Sequence, residues 1–144
     1  MKPGMARLVP ELIVSDHGAS LAFYVNVLGF AVLYGRLEEG FSFLDRDGAQ
    51  IMIDQRSLAP ERDWVAAPLE YPFGRGINLE IEVADLDLPY AACVAHGAQI
   101  FLAPEEKWYR QEDKLLGVRQ FIVMDPDGYF LRLQQAIGTR PAAA

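Results

Sequence analysis

The sequence predicts an α+β domain made of two repeated βαβββ modules, and three observations lead there. The order strand, helix and three strands can be read twice along the 144 residues. Val14-Ser15-Asp16 and Val83-Ala84-Asp85 stand 69 residues apart, as do Glu11 and Glu80. Asp45-Arg46-Asp47-Gly48 and Asp125-Pro126-Asp127-Gly128 stand 80 residues apart, each leading into an apolar segment, Ile51-Met52-Ile53 and Leu131-Arg132-Leu133. Similarity at fixed spacing over the length of a module points to duplication.

The first strand is expected over residues 8 to 14, where Leu8, Leu12 and Val14 share one face and Glu11 the other. Ser15-Asp16 offers a helix N-cap. Leu21, Tyr24, Val25 and Leu28 then follow the i, i+3, i+4, i+7 spacing of an amphipathic helix, and Gly29 closes it. Phe30 to Tyr34, Gly40 to Leu44 and Ala49 to Asp54 read as strands, the last two joined by a turn at Asp47-Gly48. In the second module Ile77 to Val83 alternates strictly, and Asp85 to Asp87 precede a helix carrying Leu86, Tyr90, Cys93 and Val94 that ends at Gly97. The expected boundaries are a single domain over 1–144, with module one at about 7–55, a linker at about 56–76, module two at about 77–135 and a loose tail at 136–144. The linker holds Pro60, Pro68 and Pro72 with the aromatics Trp64, Tyr71 and Phe73.

Composition narrows the function classes. A chain that is 51% hydrophobic and 23% charged can fold around a core of its own. No apolar run approaches the length of a membrane span, and Met1-Lys2-Pro3-Gly4 opens no signal stretch, so a cytoplasmic location is expected. A formal net charge of −7 argues against nucleic acid and favours cationic partners. Cys93 has no second cysteine to pair with, and its place on an apolar helix stripe reads as core. His17, beside an N-cap, and His96, before Gly97, read as surface or capping residues. No Ser, His and acid set or phosphate-binding glycine loop is present, so no catalytic residue is assigned.

Val14-Ser15-Asp16, Ser20-Leu21-Ala22-Phe23-Tyr24 and Leu28-Gly29-Phe30 at the start, with Gly117 to Phe121 and Asp125 to Leu133 at the end, carry a family resemblance. From Leu8 to Gln135 the chain resembles the vicinal oxygen chelate superfamily of glyoxalases, bleomycin-resistance proteins and dioxygenases, its closing segment the bleomycin-resistance branch in particular. The resemblance implies two βαβββ modules whose strands curl into an eight-stranded mixed-sheet cup, and a homodimer. It also implies four metal ligands in the enzymes of the family. Carried over one by one, those positions fall on Val9, Asn78, Met52 and Arg132. A valine, a thioether and a guanidinium do not hold a hard divalent ion. No metal and no cofactor are therefore expected, the acidic neighbours Glu11, Glu80, Glu82 and Asp54 being the ones to test.

Alternation along the strands places Glu11, Ile13, Met52, Asp54, Asn78, Glu80, Glu82, Phe130, Arg132 and Gln134 on the cup floor. The ligand-binding residues expected are Trp64, Phe73, Asn78, Glu80, Glu82, Trp108, Tyr109, Arg119 and Arg132. Carboxylates would attract a cation, and exposed aromatic rings would stack on it. Arg132 can equally pair with Glu80 or Glu11, and the tryptophans can equally serve packing or an interface. The resulting expectation is a metal-free protein that sequesters a cationic, partly aromatic small molecule. The alternatives are an enzyme of the superfamily with displaced metal ligands and a dimeric scaffold without a ligand.

Overall fold

A computed structural model of the chain describes residues 4–56 and 64–143. It divides into two compact units, Met1–Phe73 with Pro126–Gly128, and Gly74–Asp125 with Tyr129–Ala144. Each contains one mixed four-stranded sheet, and the two together give the α+β, twofold βαβββ architecture read from the sequence. No helix among the described residues is long and apolar enough to cross a membrane.

In the first unit, β1 (Glu11–Val14) lies parallel to β4 (Ala49–Gln55), and β3 (Phe41–Arg46) and β2 (Ala31–Arg36) follow antiparallel, in the order β1-β4-β3-β2. Residue 8 lies outside β1, and Leu8 is 83% exposed. The helix α1 (His17–Ala22) starts on Asp16, whose carboxylate accepts the Ala19 N–H at 3.0 Å. It continues as a π-helical turn over Phe23–Val27. The buried face is Ser20, Phe23, Tyr24, Val27 and Leu28, itself an i, i+3, i+4, i+7, i+8 set, and the predicted Leu21 and Val25 lie half-buried at its margin. Leu12, Val14, Leu44, Ile51 and Ile53 are buried beneath it. His17 is also buried, against expectation. Its ring Nε2 is 2.8 Å from Ser42 Oγ, and its backbone N–H donates to Gln55 Oε1 at 2.8 Å. Removal from water lowers its pKa below the usual 6.5, the nearby Asp16 and Asp54 opposing this in part.

The Asp125-Pro126-Asp127-Gly128 motif reads as a turn in the sequence, and its central residues belong to this first unit. The Asp127 carboxylate accepts the Ser15 backbone N–H at 3.0 Å and the Ser15 hydroxyl at 2.5 Å, and the Asp127 carbonyl accepts the Phe73 N–H at 2.8 Å. Gly128, at φ +86°, lies flat against Pro72.

In the second unit, β5 (Asn78–Glu82) is parallel to β8 (Phe130–Pro141), followed by antiparallel β7 (Lys114–Met124) and β6 (Gln99–Gln111), in the order β5-β8-β7-β6. The helix α2 (Asp87–His96) ends at Gly97, at φ +79°, as predicted. It presents Pro89 and Cys93 to the sheet, while Val94 is exposed. Tyr90 packs edge-on to Phe121 with ring centres 5.2 Å apart. Residues 136–141, expected as a loose tail, are the end of β8. There Lys114 to Gly117 of β7 continue to supply hydrogen-bonding partners out to Pro141. Small residues gave no apolar alternation to reveal this, because the pairing is a backbone matter.

The register repeats as the spacings require. Glu11 is opposite Met52 in the first unit, and Glu80 is opposite Arg132 in the second. These pairs are related by the same offsets of 69 and 80 residues.

Candidate functional site

The second unit contains a cavity of about 350 Å³ lined by Glu80, Tyr109, Leu116, Val118, Arg132 and Gln134. All four strands of the sheet build it, β6 and β7 as one long hairpin. Direct cross-strand partners share a sheet face, so the pairs Glu80–Arg132, Gln120–Gln134, Glu82–Gln134, Glu105–Gln120 and Tyr109–Leu116 bring these residues to one side. The opposite side carries the core residues Ile81, Phe121, Val123, Leu131 and Leu133.

Arg132 is the centre of the polar floor. Its Nε donates to Asn78 Oδ1 at 3.1 Å, one terminal nitrogen to Gln120 Oε1 at 3.2 Å and the other to Glu80 Oε2 at 3.2 Å. Gln120, only 2% exposed, passes the connection on: its amide donates to the Tyr109 hydroxyl oxygen at 2.7 Å and to Glu105 Oε1 at 3.2 Å. A charged hydrogen bond is worth about 1.5–3 kcal/mol when shielded; Glu80 is half-exposed, so its ion pair with Arg132 is worth less. Tyr109 is 42% exposed and forms an aromatic wall, with the Lys107 ammonium 5.9 Å from its ring centre.

The predicted residues separate cleanly. Glu80, Tyr109 and Arg132 line the cavity, Asn78 is bonded to Arg132, and Glu82 is exposed on the same sheet face. Trp108 is not with them. As the neighbour of Tyr109 in a strand it points to the other face. There its indole covers Gly117 so closely that a Cβ at that glycine would fall 2.6 Å from ring atoms. The Arg140 guanidinium lies 3.8 Å above the same indole. Arg119 also leaves the site, pairing at 3.0 Å with Asp87 in the first turn of α2. Trp64 and Phe73 belong to the other compact unit. Trp64 is 74% exposed, and Phe73 has the Arg56 guanidinium 5.2 Å from its ring centre. The sequence reading missed Gln120. The signal was available: if the Asp125 to Gly128 turn closes a hairpin, Gln120 falls on the face of Arg132.

The profile of the glyoxalase/bleomycin resistance protein/dioxygenase superfamily matches residues 5–133. The chain belongs to that superfamily. A superfamily member from Vibrio splendidus 12B01 is 36% identical, covering 91% of this chain and 98% of its own, with a TM-score of 0.41. A protein of unknown function from Agrobacterium tumefaciens str. C58 is 25% identical over 94% of this chain and 98% of its own, with a TM-score of 0.68. TioX from Micromonospora sp. ML1 is similar in fold, at 21% identity and a TM-score of 0.67, covering 92% of this chain and 99% of its own. No curated protein matches the chain.

Glyoxalase-type members of the superfamily imply a metal, and the residues here do not fit one. The amide oxygen of Asn78 and one oxygen of Glu80 are engaged by Arg132, whose cation sits where the fourth ligand would be. On the matching strands of the first unit, Met52 offers only a thioether. Among the described residues, no three His, Cys, Asp or Glu side chains converge on one point.

Proposed function

We propose that the chain is a cytoplasmic binding protein of the bleomycin-resistance kind, which sequesters a cationic, partly aromatic small molecule in the cavity of the second unit. The observation that carries this reading is the arrangement of its polar groups: Arg132, Gln120, Asn78 and Glu80 hold one another, giving a rigid floor beside an exposed aromatic ring. A preorganised floor and a ring supply affinity without chemistry. Three carboxylates, Glu80, Glu82 and Glu105, share this sheet face with the cations of Arg132, Lys107 and Lys114, so the face as a whole is balanced and Glu80, in the cavity lining, is the acidic partner for a ligand cation. A cation stacked on Tyr109 would gain about 0.5–2 kcal/mol. The volume is near the lower end of ligand pockets, roughly 300–1,000 Å³, so the cavity takes a ring-sized molecule or one ring-bearing part of a larger one.

The reading includes a homodimer of the 16.1 kDa chain. It is supported by β2, an edge strand that exposes Val32 and Tyr34, and light scattering distinguishes dimer from monomer. Calorimetric titration with bleomycin, metal-free and copper-loaded, and with tryptamine as a small aromatic cation tests the binding function. Saturable binding that weakens in Tyr109→Ala is expected. If neither probe binds, or if Tyr109→Ala binds both unchanged, the reading is wrong.

A further inference from the structure

The hydrogen-bond polarity of the cavity floor specifies more than a cation. A guanidinium can only donate. Gln120 must therefore turn its oxygen to Arg132, and its NH2 group is left to face Tyr109 and Glu105, as found. Gln120 is buried and fixed in this sense, so the Tyr109 oxygen is an acceptor in the network and its own O–H is directed elsewhere. No acceptor for that proton is present among the described residues. Arg132 uses three N–H groups on Asn78, Gln120 and Glu80, which leaves one on each terminal nitrogen without an acceptor among the described residues. Glu80 accepts from Arg132 through Oε2, and its second oxygen has no donor there. The cavity thus offers donors at Tyr109 and Arg132 next to a carboxylate oxygen at Glu80, with Leu116 and Val118 as the apolar part of the wall.

Resting on the binding-protein reading above, we propose that the cavity recognises an aromatic α-amino acid as its zwitterion, free or as the end of a larger molecule. The ligand carboxylate takes the free N–H groups of Arg132 and the Tyr109 O–H, and its ammonium donates to the free oxygen of Glu80. The ring lies against Leu116, Val118 and Tyr109. Carboxylate and ammonium on adjacent atoms match donors and an acceptor that are themselves held together by the Arg132–Glu80 contact at 3.2 Å. A simple cation would leave the Arg132 and Tyr109 donors unanswered, and a simple anion would lie beside Glu80 without a partner for its second oxygen.

Three probes sharing an indole ring separate these cases: tryptophan with both charges, tryptamine with the ammonium alone and indole-3-propionate with the carboxylate alone. Binding is measured by calorimetry and by NMR shifts of the Gln120 side-chain NH2 and Arg132 Nε–H signals. Tryptophan is expected to bind about tenfold or more tightly than either analogue, the gain of one charge-assisted hydrogen-bond set. Arg132→Gln should abolish the preference for tryptophan over tryptamine, bringing the ratio of their affinities to about one. Tyr109→Phe keeps the ring and the strand yet lacks the donor, so it should lower the ratio of tryptophan to tryptamine affinity, and it serves if Arg132→Gln does not fold. Tryptamine binding as tightly as tryptophan overturns the carboxylate assignment and leaves the cation-binding reading intact. Indole-3-propionate binding as tightly as tryptophan overturns both the amino-acid assignment and the cation preference. If bleomycin, tryptamine and tryptophan all fail to bind or to move the Gln120 and Arg132 signals, the cavity is not a ligand site and both conclusions fall.

Discussion

Gly48 and Gly128 hold equivalent places in the two modules, 80 residues apart, and replacing each with alanine separates two physical effects at one backbone geometry. Both are left-handed, at φ +93° and +86°, so a Cβ at either costs about 1–2 kcal/mol. A Cβ on Gly48 meets nothing within 4 Å, so Gly48→Ala should lose that amount and little more. A Cβ on Gly128 would lie 2.5 Å from Pro72 Cβ, 2.7 Å from Pro72 Cα and 3.1 Å from a ring carbon of Tyr71. The first two belong to a rigid proline, which cannot swing aside, and overpacking of this kind adds about 1–3 kcal/mol. Gly128→Ala should therefore be less stable than Gly48→Ala by about that increment. Urea unfolding followed by circular dichroism measures both, the comparison resting on midpoints at unchanged slope. Equal losses in the two variants would show that the Pro72 contact is not maintained in solution and would refute the reasoning from packing.

Other outcomes follow from single side chains. The folded state favours neutral His17, so below pH 6.5 the unfolded chain binds the extra proton. The stability this residue contributes is present above that value and is lost as pH falls through the lowered folded-state pKa. Midpoints measured between pH 8 and 5 should show this fall, reduced in His17→Gln. Trp108→Ala should destabilise by about 1–3 kcal/mol because it uncovers Gly117 and frees Arg140, whereas Trp64→Ala should stay within about 0.5 kcal/mol. Denaturation midpoints distinguish the two. Burial pushes the Cys93 thiol up to about 11, so a thiol reagent should label it only after denaturant is added, and rapid labelling of the native protein would contradict its buried place.

Duplication was legible because backbone register follows from spacing. The offsets seen in Glu11, Glu80, Met52 and Arg132 reappear as strand pairs, and Gly29, Gly48 and Gly97 stand in the left-handed turns their flanking patterns call for. The face of each side chain was less legible beyond β5 and β8. β-Bulges interrupt β6 between Ile100 and Leu102 and again before Glu105, and β8 at Ile137, opposite the step from Gly117 to Val118 of β7. Each slip exchanges the two faces of the sheet. By Tyr109 the two slips in β6 have cancelled, so Tyr109 shares the face of Gln99 and Trp108 takes the other; the sequence did not show that β6 bulges twice on the way. His17 was misread for a different reason: a histidine after an N-cap normally meets water, and only Ser42 and Gln55, far along the chain, give its polar atoms a buried destination.

The clamp of Asp127 on Ser15 ties together residues separated by 112 positions, and it assigns Pro126–Gly128 to the compact unit formed by the first half of the chain. A ribosome makes the protein from the other end. The first sheet and its helix can assemble once Gln55 has emerged, but the start of that helix waits for its anchoring carboxylate until nearly the whole second module has been synthesised. The two modules follow one another in sequence, yet the first compact unit includes three residues from the second. A fragment ending at Phe73 would keep its four strands and lose both hydrogen bonds at Ser15 and the surface against which Tyr71 and Pro72 rest. Recombination that shuffles such modules would have to carry this short turn along with the half it completes.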